Sequence, residues 1–376
     1  MVRRSRLIVG LGVAVLAGCG GTVADGYDQA LRYPPRTDPV VVRPPTFEPA
    51  GLPAPGKLDA SILALGVAGG ELVLPGELSP GDLASLTVVV DELFGTPAAP
   101  TVPGPTDAGG FDLSPDTLAA GSRVYGRLCA NCHGLTGNGR GPVGPWSYPY
   151  PRDFRTGAFK VAVGDSKPTL DQLVRQLRQG VPGTSMPVFD LLPEADVRAV
   201  SAYVVHLSRR GVAEAAGLRA AVDGDEPTAA VRRAAAADAE RWNQPRPALP
   251  TVVAVESGET GYAEAVRRGK ELFHSPTAGC AACHQDYGRT ETYRYDVWGA
   301  PARVHDLTRG EFRWGRADAT LAARVRHGIP AAGMPASPHL TDEQVRDLVT
   351  FVRDLGAPGR LPPDVRAEVY PQTATR

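Results

Sequence analysis

The stretch Cys129-Ala130-Asn131-Cys132-His133 returns 151 residues later as Cys280-Ala281-Ala282-Cys283-His284. Both copies read Cys-x-x-Cys-His, the attachment signature of c-type haem. The spacing has a chemical reason. Two thiols three residues apart can add to the two vinyl groups of one porphyrin, and the adjacent imidazole then lies under the ring with a nitrogen for the iron. The motifs therefore predict two covalently bound haem c, attached at Cys129, Cys132, Cys280 and Cys283, with His133 and His284 as axial ligands. Other readings compete. Disulfides would pair these cysteines within or across motifs. A redox Cys-x-x-Cys does not need the His that follows. One zinc site would gather ligand pairs 151 residues apart.

The surroundings of the motifs repeat as well. From Arg178 to Leu207 the chain aligns without a gap on Arg326 to Leu355: Gly180-Val181-Pro182 on Gly328-Ile329-Pro330, Met186-Pro187 on Met334-Pro335, Tyr203 on Phe351. Earlier, Asp153, Gly157, Phe159 and Lys160 match Asp306, Gly310, Phe312 and Arg313 at an offset of 153 rather than 148. Two copies of one fold are the simplest account.

Apart from Met1, Met186 and Met334 are the only methionines, 53 and 50 residues after the motif histidines. Each sits in a Gly-containing loop and is followed by Pro. Such a loop can point one thioether at an iron, so Met186 and Met334 are the candidate second axial ligands; the alternative is core packing. His206, His274, His305, His327 and His339 have no counterparts shared between the copies and are read as bystanders. Each ligand His needs a carbonyl for its other ring nitrogen, and Pro142 and Pro301 are candidates. Arg152, Arg155 and Lys160 in the first copy, and Arg309, Arg313 and Arg316 in the second, are candidate partners for haem propionates. Trp146, Tyr148, Trp298 and Trp314 are candidate haem walls.

Helices are expected at 79–95, where Ser79 can cap and Gly95 can stop, at 116–129, 170–179 and 193–209, and then at 262–273, 320–327 and 341–355. The resulting class is mainly α. The expected organisation is a signal peptide over 1–18, a Pro-rich tether with a short helical region over 19–114, a first haem unit over 115–211, and a connector over 212–260. A second haem unit over 261–358 and a tail over 359–376 complete it. Trp242 is the expected packing anchor of the connector, and the 79–95 helix is expected to dock on a haem unit.

At the N-terminus, Arg3, Arg4 and Arg6 precede a short apolar run that ends in Leu16-Ala17-Gly18-Cys19. The run is too short to span a bilayer permanently. It resembles the lipobox of bacterial lipoproteins, which implies lipidation of Cys19 and export to the periplasmic side of a membrane; an ordinary signal peptide is the alternative. A net charge of -1 gives no mark of a nucleic-acid binder, and 36 Pro with 43 Gly mean long loops.

Both copies resemble class I cytochrome c domains. The residues that carry the likeness are a helix ending in Cys-x-x-Cys-His, a Gly/Pro loop, a Met-Pro loop and a last helix with an aromatic residue. Gly121/Tyr125 with Tyr203, and Gly269/Phe273 with Phe351, look like that family's crossing of first and last helices. The second copy departs from the pattern, with Gln285-Asp286-Tyr287 where the first has a Gly-rich run. The resemblance implies a tandem dihaem respiratory cytochrome passing single electrons between partner proteins: a quinol-oxidising complex, a periplasmic dehydrogenase, or a terminal oxidase or reductase. A dihaem peroxidase-like enzyme with a labile Met334, or a non-catalytic haem subunit of a larger complex, are the rivals.

Overall fold

The computed structural model describes residues 30–46 and 48–371, so Cys19 and the export segment lie outside the described residues. The architecture is mainly helical. A short antiparallel pair, β1 (Val40–Arg43) and β2 (Glu71–Val73), brackets α1 (Leu58–Leu63) and is followed by α2 (Pro80–Phe94). Ser79 caps α2 by accepting from the Asp82 amide, and Gly95 ends it with φ 68°. A two-residue hairpin, β3 (Asp107–Ala108) with β4 (Phe111–Asp112), leads into the first haem unit.

Unit one comprises α3 (Pro115–Leu128), α4 (Ala130–His133), α5 (Leu170–Gln179) and α6 (Glu194–Asp223), with α7 (Pro227–Asn243) behind it. Unit two comprises α8 (Tyr262–His274), α9 (Cys280–Cys283), the hairpin β5 (Tyr293–Tyr295) and β6 (Pro301–Arg303), α10 (Asp318–His327), α11 (Asp342–Asp354) and α12 (Pro363–Val369). Full capping boxes start α5 and α11, at Thr169/Gln172 and Thr341/Gln344.

In each unit the first helix crosses the last at a glycine. A Cβ on Gly121 would stand 2.1 Å from the Ala199 carbonyl oxygen, and one on Gly269 would stand 2.1 Å from that of Asp347. Beside these contacts Tyr125 meets Tyr203 at 5.3 Å between ring centroids, and Phe273 meets Phe351 at 5.9 Å. The crossings read from the sequence are therefore present in both units.

Three expectations change. First, α6 does not stop near residue 209; it runs 30 residues to Asp223. Gly211 looks like a helix stop, but its missing side chain admits the Arg155 backbone and side chain, which a Cβ would meet at 2.2 Å. Second, α2 docks on unit one as expected, through Phe94 against His206, but it packs mainly on the far half of α6 and on α7, where Leu86, Val90 and Phe94 share a cluster with Ala213, Leu218 and Val231. Third, the described part of the Pro-rich segment is no free tether. Tyr33 is buried and bonds Tyr203 Oη at 2.7 Å, and Asp38 meets Arg155 at 2.6 Å. Trp242 is the anchor expected: it is fully buried against Phe111 and Phe159, with its indole N–H donating to Asp238.

Candidate haem sites

Local chain geometry presents the motif. Helix α3 delivers Cys129 at its end, α4 carries Cys132 and His133, and Gly134 turns the chain out with φ 73°. His133 Nδ1 lies 3.0 Å from the Arg152 carbonyl oxygen, to which it donates in the tautomer that leaves Nε2 free for a metal. Phe154 stacks on the imidazole at 4.6 Å between centroids and 19° between planes. Burial pushes His133 down to about 4, so the ring is neutral at physiological pH.

One cavity in unit one is lined by Cys129, Cys132, His133 and Met186, with Leu173 and Val204 among its apolar walls. The four site residues read from the sequence in unit one are thus brought together. The thiols are not disulfide-bonded, and burial pushes Cys129 up to about 12. Among the described residues no group of three or more His, Cys, Asp or Glu side chains is placed to hold a metal ion, so the four cysteines do not assemble one zinc site.

Unit two repeats the proximal arrangement. Cys280 and Cys283 sit on α9, and His284 Nδ1 lies 3.1 Å from the His305 carbonyl. His305 stands 153 residues after Arg152, the same offset that relates Asp153 to Asp306. The predicted carbonyls of Pro142 and Pro301 are not the ones used; the signal was in the offset. Where unit one turns on glycines, unit two holds Asp286 and Tyr287 at φ 47° and 59° before Gly288. Such non-glycine residues in the left-handed region cost of order 1–3 kcal/mol each. Tyr287 offsets this by packing its ring on Phe273 and Phe351.

The two methionine loops share one backbone device. Val181 N–H donates to the Met186 carbonyl at 3.4 Å and Ile329 N–H to that of Met334 at 2.9 Å. The preceding glycines, Gly180 and Gly328, have φ of 64° and 66°, and a Cβ on either would clash with the methionine carbonyl. In unit one Gln176 Nε2 approaches Met186 Sδ at 3.9 Å, a contact that sequence reasoning missed because a Gln facing inward on α5 looks like any polar helix residue.

The proposed propionate partners and wall aromatics sort differently from expectation. Arg155 is taken up by Asp38 and Asp153, and Arg316 by Asp354 and the Arg353 carbonyl. Arg152 and Lys160 do line the unit-one cavity. Trp146 is 69 % exposed and outside it. Trp298 lies over Arg152, 3.4 Å from the guanidinium carbon to the ring centroid. Trp314, from unit two, lines the cavity of unit one.

A family model described as cytochrome c oxidase, cbb3-type, subunit III matches residues 116–204 and again residues 264–352. The chain is a tandem c-type cytochrome. The two matched segments coincide with the two helical units, and domains of this kind hold haem c covalently. A chain of a solved reducing HAO-like protein complex from Kuenenia stuttgartiensis is similar at 24% identity and a TM-score of 0.46, over 63% of this chain and 95% of that one. No curated protein sequence matches the cytochrome. The residues present in unit one fit the group: two free thiols, a neutral imidazole with its second nitrogen bonded, and a thioether line one mainly apolar cavity. Haem-based electron transfer follows from this cofactor.

Proposed function

We propose that this cytochrome is an exported, lipid-anchored dihaem electron carrier on the periplasmic side of a membrane. In this reading each unit binds one haem, with His133 and Met186 as axial ligands in unit one and His284 and Met334 in unit two. Cys19 carries the lipid. The partners are respiratory redox proteins: a quinol-oxidising complex, a periplasmic dehydrogenase, or a terminal oxidase or reductase.

The observation that carries the reading is the paired methionine loop. Two loops with different sequences, Gly-Thr-Ser and Ala-Ala-Gly before the methionine, adopt the same glycine turn and the same bond from the residue after that glycine to the methionine carbonyl, while the return bond from the methionine amide is made in unit two and replaced in unit one by a bond to Thr184 Oγ1. Core packing alone gives no reason for that agreement. When bound, haem supplies reversible one-electron chemistry at iron. The residues do the rest. The carbonyls of Arg152 and His305 orient the imidazoles, the apolar wall keeps water from the cavity, and a thioether favours the ferrous state and raises the potential. His327 packs against Gly164 of unit one and His339 Nε2 lies 2.8 Å from the Thr277 carbonyl.

The test is an optical spectrum of the purified holoprotein, with a pyridine haemochrome count and carbon monoxide added after reduction. Two haems per chain, the methionine-to-ferric-iron charge-transfer band for both, and no response to carbon monoxide are expected. A haem that binds carbon monoxide would overturn the closed-site reading for its unit.

A further inference from the structure

Three cations line or border one edge of the unit-one cavity. Arg152 and Lys160 come from unit one, and Arg313 comes from unit two. One carboxylate answers them: Asp296 of unit two, 4 % exposed, 3.0 Å from Lys160 Nζ and 3.5 Å from Arg152 Nη1. The amides of Trp298 and Ala300 donate to Asp296 Oδ1, both at 3.1 Å, so this anion is fixed in place. The neighbouring Asp153 is already matched by Arg155 at 2.8 Å. The edge therefore carries an excess of two positive charges in a largely buried setting. Arg313 Nε is buried and has no hydrogen-bond partner. Burial, with Arg152 and Arg313 adding like charge against Asp296, pushes the Lys160 ammonium down to about 8.

Buried cations gathered in excess require anions. A haem carries two carboxylates, its propionates, on one edge. We infer that unit two completes the propionate end of the unit-one haem site: Arg313 binds a propionate directly, and Asp296 is a positioning residue that holds Arg152 and Lys160 against it. This rests on the haem reading above. The chain reaches across because Phe312 packs on the core of unit two while the next two residues, Arg313 and Trp314, turn out into the cavity of unit one.

The experiment is a spectroelectrochemical titration of the full-length holoprotein and four variants: Arg313→Gln, Arg313→Lys, Asp296→Asn and Met186→His. The wave that falls in Met186→His belongs to unit one. The ferric haem carries one positive charge more than the ferrous haem, so a neighbouring cation favours the ferrous state; its removal in Arg313→Gln is expected to lower the unit-one wave by about tenfold in its redox equilibrium, which is about 59 mV for one electron. Asp296→Asn should move the same wave upward, and Arg313→Lys should restore most of the Arg313→Gln loss. The unit-two wave stays in place in all three, and haem content is unchanged. Equal shifts in Arg313→Gln and Arg313→Lys, a shift of the unit-two wave instead, or shifts of the same sign in Arg313→Gln and Asp296→Asn would each overturn the assignment. Should the haem count differ from two, or should Met186→His move neither wave, the ligand reading fails first and the inference falls with it.

Discussion

Among the tightly constrained residues of the fold are two that have no side chain. At Gly121 and Gly269 the first and last helices of each unit approach until a Cβ would stand 2.1 Å from a backbone carbonyl oxygen. A backbone atom cannot swing aside as a flexible side chain can, so an alanine there has to push two helices apart. Gly121→Ala and Gly269→Ala are each expected to destabilise the holoprotein near the upper end of the roughly 1–3 kcal/mol seen for overpacking. Gly76→Ala, where nothing lies within 4 Å of the added carbon, should stay within about 0.5 kcal/mol. Denaturant midpoints of the three variants check this; equal values would mean that the crossings are not the tight points of the fold. Gly211 belongs to the same class. In the sequence it resembled a helix end, since a glycine kept for close approach and a glycine kept for a left-handed turn are the same letter.

Between elements, the described N-terminal arm is held on unit one by polar contacts that composition could not announce. Proline-rich sequence predicts an extended path, and the path is extended; whether it touches the domain depends on three spaced residues. Tyr33 bonds Tyr203 and, at 3.1 Å, His206 Nε2; Arg36 and Asp38 join Arg155 and Glu214. His206 is fully buried on α6, stacked on Tyr203 at 5.3 Å, with Nδ1 2.9 Å from the Thr101 carbonyl. Burial, with Arg210 and Arg209 nearby, pushes it down to about 3. Its folded value is thus below the ordinary 6.5, and the unfolded chain takes up the proton first. Stability from this residue is complete above pH 6.5 and is lost as pH falls toward 3, at up to about 1.4 kcal/mol per pH unit. In denaturant titrations between pH 7 and pH 4, the wild type should lose stability more steeply than His206→Gln. Parallel slopes would show that His206 does not titrate in this window. The haem motifs, methionine loops, helix crossings and α5 were legible because each is a local pattern repeated at a fixed offset. The arm, the reach of α6 and the ends of the proximal hydrogen bonds were not, because each is set by a partner far along the chain.

At the scale of the whole molecule, the repeat that made the two units legible concealed how they are joined. Equivalent positions have diverged to make the joint. Arg324 stands where unit one has Gln176, the neighbour of Met186. Instead of facing its own methionine loop, Arg324 crosses to unit one and donates to the carbonyls of Lys160, Val161 and Ala162, with its guanidinium carbon 5.0 Å from the Trp314 ring centroid. Trp298 donates to the Asp153 carbonyl, and Asp296 holds Arg152 and Lys160. These bonds satisfy carbonyls of a segment that has no strand partner of its own, so the joint is part of the fold of unit one and not an optional contact. Arg324→Ala removes the only donors seen for three carbonyls at the joint among the described contacts, and leaving buried acceptors unmet costs about 1–3 kcal/mol each. Calorimetry of the wild-type holoprotein should therefore show one cooperative transition for both units, whereas Arg324→Ala should show two, with unit one melting first because its 160–162 segment loses its anchor. A single transition merely shifted downward in the variant would mean that the remaining Asp296 and Trp298 contacts are enough to couple the units, and two transitions already in the wild type would show that the units fold independently.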